Sequence, residues 1–191
     1  MAALALARGG DSGSAIAIVE DLNRTYPSDT LLNTYWIPTI RAAVELNHHN
    51  TSAAIKLLEP VIPYEIGLQP NPTFLVPYPP YVRGLAYLEN GQGAEAAAEF
   101  QKIPDHAGLV LNCPLSALAP LDLGRAYAME AGRILSSEGI KDKNVIARPR
   151  PQPGALAEAR KNYKDFLTLW NDSDPAIPIV KQARSEYAAL Q

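Results

Sequence analysis

Internal repetition constrains this chain more than any other feature. Pro38, Pro80 and Pro120 stand 42 and then 40 residues apart, and each is followed four positions later by a small residue, Ala42, Gly84 or Gly124. Three positions further on come Glu45, Tyr87 and Tyr127. A second motif recurs in step, in "GDSGSAIAIVEDL" from Gly10, "HNTSAAIKLLEPV" from His49 and "GQGAEAAAEFQKI" from Gly91. Each has a turn, then an alanine (Ala15, Ala54, Ala96), then a larger apolar residue four positions on (Val19, Leu58, Phe100). The i, i+4 spacing stacks both side chains on one helix face. A period near forty residues predicts an array of supersecondary units, each buried against its neighbours.

Each unit reads as two antiparallel helices joined by a short turn. Small residues on the facing helices let the backbones approach, and the larger residue fills the gap beside them. The fourth second helix is "ALAEARKNYKDFLTLW", where Ala159 and Tyr163 take the alanine and large-residue positions. The spacing therefore predicts an all-α chain with units near 1–29, 30–70, 71–112 and 113–173, the last interrupted by an insertion over 133–154. "RPRPQPG" in that insertion predicts a proline-broken loop with polyproline II bias on a turn edge. Proline-rich stretches such as "IPYEIGLQPNPTFLVPYPP" predict extended or turn-like connections. Pro38, Pro80 and Pro120 fit either the first turn of a helix or a tolerated kink.

At the end of the chain Ile177, Val180, Ala183, Tyr187 and Leu190 share one helical face, with Lys181, Gln182, Arg184, Ser185 and Glu186 largely on the other. That pattern predicts a capping helix over 175–190. At the start, "ALALARGGDSG" reads as the end of a first helix, so the array is expected to begin upstream of residue 1 and the chain to be a piece of a longer one.

Composition excludes several classes. Hydrophobic residues make up 47% and charged residues 19%, which argues against a chain disordered throughout. A formal net charge of −3 provides no basic footprint for nucleic acid. Cys113 is the only cysteine, so an intramolecular disulfide and a multi-cysteine zinc site are excluded. No apolar run reaches the length of a membrane span. Direct membrane insertion by this chain is not expected, and neither is a cofactor.

Candidate chemistry is thin. His48 and His49 are adjacent, diverge by about 100° on a helix and do not readily chelate one ion, so a solvated helix end is the expectation. His106 and Cys113, with Asp105, share a connecting segment, but nothing in the sequence brings thiol and imidazole together; a small buried hydrophobe is the commoner use of a lone cysteine. Asp172 and Asp174 in "NDSDP" lack the other acidic positions of a calcium loop and suit turn and cap chemistry. Arg148 and Arg150 in the insertion have no acid, base or nucleophile arranged beside them. Neither catalytic nor metal-ligating residues are assigned.

"GLAYLENGQGAEAAAEF" resembles a tetratricopeptide repeat, with Gly84, Tyr87, Gly91, Ala96 and Phe100 at the small, tyrosine, turn, alanine and phenylalanine positions. The unit is longer than the 34 residues usual in that family, and proline stands where the family commonly has tryptophan. Three further stretches, "DTLLNTYWIPTIRAAVELN", "YPPYVRGLAYLENGQGAEAAAEFQKIPDHAGLVLNCPLSALAPLDLGRAYA" and "YKDFLTLWNDSDPAIPIVKQARSEYAALQ", resemble the carboxy-terminal repeat region of bacterial, eukaryotic-like serine/threonine protein kinases, those of acidobacteria in particular.

The resemblance implies a right-handed superhelical stack, an α-solenoid of helix pairs with a carboxy-terminal cap, following a kinase domain in the parent protein. That parent would be cytoplasmic, or would present the repeats across a membrane. The kinase motifs are absent from this chain, and Lys164-Asp165-Phe166 belongs to an amphipathic helix. No enzyme activity is therefore expected of it. The resemblance also implies a protein or peptide partner on a concave surface built from the first helices. The family positions fall on Trp36, Thr39, Ala43 and Asn47, on Tyr78, Tyr81, Leu85 and Glu89, and on Leu121, Arg125 and Met129. Interhelix packing is the competing use of these side chains, of Trp36 and Leu85 above all. Arg41 and Arg83 recur in register, either as a charged ladder or as stems covering apolar surface. Self-association, with the array continuing from chain to chain, is the alternative function.

Overall fold

The computed structural model describes residues 1–66, 77–110, 113–132 and 152–191. The insertion residues 133–151, with Arg148 and Arg150, and the proline-rich residues 67–76 lie outside them, as do the expectations about those loops. The described residues form helices and turns, with no strand among them. In chain order the helices are α1 (Ala2–Arg8), α2 (Ser12–Thr25), α3 (Ile37–Asn47), α4 (Thr51–Leu58), α5 (Tyr78–Glu89), α6 (Gly93–Asp105), α7 (Ala107–Val110), α8 (Pro114–Glu130), α9 (Ala155–Leu169) and α10 (Pro178–Ala188). A π-helical turn, Leu32–Trp36, leads into α3, and a 3-10 segment, Glu59–Tyr64, follows α4. None of these helices is long and apolar enough to cross a membrane.

The pairs α1/α2, α3/α4, α5/α6 and α8/α9 each pack closely, and α10 rests on α9. Each second helix also meets the next first helix, α2 on α3, α4 on α5 and α6 on α8. First helices touch in turn, α1 to α3, α3 to α5 and α5 to α8.

One turn sets the register of the first three pairs. Gly10, His49 and Gly91 have positive φ, 91°, 61° and 77°. The N–H of each bonds to the carbonyl three residues back, and the N–H of the next residue to the carbonyl five back: Asp11 to Leu6, Asn50 to Glu45 and Gln92 to Tyr87, all 2.9 Å. This is the Schellman end of a helix, which needs a left-handed residue. Seven residues before each turn lies the small residue of the first helix, Ala3, Ala42 or Gly84; nine after it lies Val19, Leu58 or Phe100, and all are buried. The predicted close approach is explicit at Gly84, where an added Cβ would stand 2.6 Å from Cε1 of Phe100. Gly124 meets Tyr163 in the same manner, at 2.8 Å. Ala159 and Tyr163 are fully buried in the positions the sequence assigns them.

The prolines divide. Pro38 lies in the first turn of α3 and Pro80 in the first turn of α5, whereas Pro120 is inside α8. Just before Pro38 the Ile37 N–H bonds to the Leu32 carbonyl, five residues back. A proline ring crowds the carbonyl four residues before it, and a wide turn there relieves the crowding.

On α10, Val180 and Ala183 are buried, as is Leu190 in the turn just after it, while Lys181, Gln182, Arg184 and Ser185 are exposed. Glu186, expected on the outer face, is instead 5% exposed.

Candidate interaction surface

The polar side chains expected to meet a ligand are mostly spent on joining one first helix to its neighbours. At the carboxy-terminal end of α3 the Asn47 amide donates to the Ala7 carbonyl, a second bond to an end group of α1 that already accepts from the Gly10 N–H. Glu89, at the end of α5, accepts from His49 Nδ1 in the turn between α3 and α4. Tyr81 donates its hydroxyl to Asp122 of α8, 2.8 Å away. Burial, and next to it the Asp122 carboxylate, pushes the pKa of that phenol up.

Arg125 is the centre of a larger network. Its Nη1 donates to Asp122 at 3.1 Å, and its Nε and Nη2 reach the two carboxylate oxygens of Glu186 on α10 at 3.0 and 3.2 Å. Tyr163 of α9 donates to the same Glu186, at 2.7 Å. Burial works against the guanidinium charge, but Asp122 and Glu186 outweigh it and raise the Arg125 pKa. For Asp122 burial wins, and its pKa rises despite the pull of Arg125 and Tyr81. Arg125 does face a carboxylate, as its position suggested, but the carboxylate is the chain's own.

Three assignments are corrected outright. Thr39 is fully buried and its hydroxyl donates to the Tyr35 carbonyl at 2.5 Å; Leu121 is likewise fully buried, and Tyr81 is 7% exposed. Ala43 is buried too. Their helix faces turn toward the neighbouring helices because adjacent first helices touch, which takes these positions out of solvent.

Asn47, Glu89 and Arg125 stay partly buried within these bonds, and Trp36, Tyr78, Leu85 and Met129 are partly buried too. Trp36 meets Tyr35 edge-on, with ring centroids 5.1 Å apart, and lies 6.1 Å from Tyr78 in a tilted contact. Tyr78 stands beside Cys113, and its pKa is raised by burial first and by the thiol second. Trp36, Tyr78 and Cys113 thus carry a partly apolar strip across the starts of α3, α5 and α8. The wide turn before Pro38 places Trp36, and the first turn of α5 places Tyr78.

Sequence reasoning missed one buried cluster entirely. Arg83, in register with Arg41, is the largest fully buried side chain, while Arg41 is exposed, so the two make no ladder. Arg83 Nη2 donates to Glu65 at 2.7 Å and Glu99 at 2.6 Å, and Lys102 Nζ joins the same two carboxylates at 2.7 and 2.9 Å. Burial opposes the Arg83 charge, and the two glutamates restore and raise its pKa. The i, i+3 spacing of Glu99 and Lys102 was the one available signal; Glu65 is distant in sequence. A cleft lined by Glu65, Ile66, Pro77, Lys102, His106, Leu109 and Val110 opens beside the cluster.

The remaining polar candidates take turn and cap roles. His48 and His49 are exposed at a helix end. His106 Nδ1 donates to the Lys102 carbonyl, and Asp174 accepts from the Ala176 N–H. Among the described residues no group of three or more His, Cys, Asp and Glu is placed to hold a metal ion. The sequence matches no protein-family model. No curated protein and no solved structure matches it.

Proposed function

We propose that this chain is a non-catalytic protein-interaction module of the tetratricopeptide type, a right-handed stack of helix pairs serving as the carboxy-terminal recruitment region of a bacterial serine/threonine protein kinase. The observation that carries the reading is the strip formed by Trp36 and Tyr78. Two large aromatic side chains from successive first helices are only partly buried and in contact, beside helices whose Thr39, Asn47, Tyr81 and Glu89 side chains are already hydrogen-bonded within the chain. Aromatic anchors of this kind dominate binding energy at protein interfaces. An extended segment with an apolar anchor fits the strip, and the tether to a kinase would raise its effective concentration at that enzyme.

The test is capture of partners by the tagged chain from lysate of the source organism, beside a Trp36→Ala/Tyr78→Ala variant of unchanged helicity. Proteins retained by the native chain and lost with the variant support the reading. Retention of the same proteins by both overturns it.

A second reading, self-association, has its own observation. Counted from the turn residues, Met1 and Ala5 occupy the positions of Ile40 and Val44 in α3 and of Val82 and Ala86 in α5. The later residues are all buried, whereas Met1 and Ala5 are exposed. Mass that rises with concentration in light scattering, and falls with Ala5→Glu, would favour continuation of the array between chains.

A further inference from the structure

We infer that the edge where first helices turn into second helices docks an extended basic segment of a partner protein, one cation of which pairs with Glu130. The buried carboxylates among the described residues are Glu65, Asp122, Glu130 and Glu186. Arg83 and Lys102 pair with Glu65, and Arg125 pairs with both Asp122 and Glu186. Glu130 is 8% exposed, yet its carboxylate makes no hydrogen bond and no ion pair within the described residues. Packing fixes its place at the end of α8 against the first residue of α6, where a Cβ on Gly93 would stand 2.6 Å from Glu130 Oε1. The positive end of α6 favours a carboxylate there but leaves its lone pairs unfilled. A buried carboxylate without a partner is costly, so a cation that reaches it is held firmly. The sealed side-chain atoms without a partner, among the described residues, are Arg83 Nε and Trp170 Nε1, so the Glu130 oxygens stay open to a ligand.

The rest of the edge carries the same sign. Glu45 at the end of α3 accepts from the Asn50 amide, Glu89 at the end of α5 from His49, and Glu95 in the first turn of α6 from the Gln92 amide. Thr51, Asn90 and Gln92 continue this row of polar side chains from the start of α4 to Glu95. Residues 42–55, 84–98 and 126–132, the helix ends and turns of this edge, contain no lysine or arginine. Such a row is complementary to cations, and its spacing selects their arrangement. Glu45, Glu89 and Glu130 belong to α3, α5 and α8, first helices that touch in turn. Packed helices lie about 8–10 Å apart. A polyproline II segment brings every third side chain back to one face about 9 Å further on. The occupant is therefore an extended segment with arginine or lysine at every third position.

This edge lies at the other end of the first helices from the Trp36 and Tyr78 strip, so the inference does not rest on the recruitment reading. The probe is a fluorescent peptide, Arg-Pro-Pro repeated three times, titrated into the full chain. Glu130→Gln should weaken its binding about tenfold, the scale of a charge-assisted hydrogen bond. Glu20→Gln, on the exposed face of α2, should leave it unchanged. A peptide of the same composition with its arginines side by side should bind more weakly than the spaced one. Equal affinity for the native and Glu130→Gln chains, or for the two peptides, overturns the inference. Loss of binding in millimolar calcium at constant ionic strength would give Glu130 to a metal ion instead, and overturns it too. Should Glu130→Gln lose helicity, the exposed Glu95→Gln takes its place, with a loss of about threefold expected; no loss overturns the inference. The Trp36→Ala/Tyr78→Ala variant should bind the peptide like the native chain, which separates failure of one proposal from failure of the other.

Discussion

A Cβ at Gly84 would stand 2.6 Å from one ring carbon of Phe100 and 2.8 Å from another, closer than side-chain carbons approach. The ring has little room to yield, because Phe100 is fully buried and packed 5.7 Å from Tyr81, centroid to centroid. Gly84→Ala is therefore expected to destabilise the fold by about 1–3 kcal/mol, the usual range for overpacking a tight interface. Denaturant unfolding checks this, with Gly108→Ala as the control, since an added Cβ there meets nothing within 4 Å. A Gly84→Ala/Phe100→Leu double variant should recover part of the loss. At this scale the sequence was legible: a small residue seven before a turn and a large one nine after it announce a contact. It did not reveal that Arg83, next to Gly84, is buried, because its partners Glu65 and Glu99 belong to other elements.

Among the elements, the recurring helix-ending turn shows how a local rule survives a change of residue. Gly10 and Gly91 adopt the left-handed conformation without a steric penalty, and His49 adopts it at φ 61°. A residue bearing Cβ costs roughly 1–2 kcal/mol in that region, less the entropy that glycine loses on folding. Both His49→Gly and His49→Ala remove the contact with Glu89, so their difference isolates the backbone. The glycine variant should be the more stable by about 1 kcal/mol in paired denaturant titrations. Helix α10 illustrates the opposite limit. Its apolar stripe was legible from periodicity, yet Glu186 was placed on the wrong face, because a carboxylate is buried only where donors from other helices await it.

At the scale of the molecule, the buried side chains among the described residues gather in chain order into three clusters. The first spans α1 to α5, the second α5 to α8 and the third α8 to α10. Tyr78 and Leu85 lie against both the first and the second. The Arg83 cluster ties across the same boundary, from the segment after α4 through α5 to α6. Arg83→Met leaves Glu65 and Glu99 with Lys102 alone, an uncompensated buried charge, and such losses cost about 3–5 kcal/mol. Since Glu99 and Lys102 are partly exposed, the low end is expected, with an unfolding transition broadened as the first cluster parts from the second. A single sharp transition with unchanged stability would show that the cluster does not couple them. By itself the amino-acid order determines the helix pairs, the turns between them and which small residue meets which large one, because these follow from spacing along one chain. Only the tertiary structure decided which polar side chains are buried. Tyr81, Arg83, Asp122 and Glu186 are drawn inside by partners on other elements, in the case of Arg125 and Glu186 61 residues apart, and no periodicity records a partner at that distance.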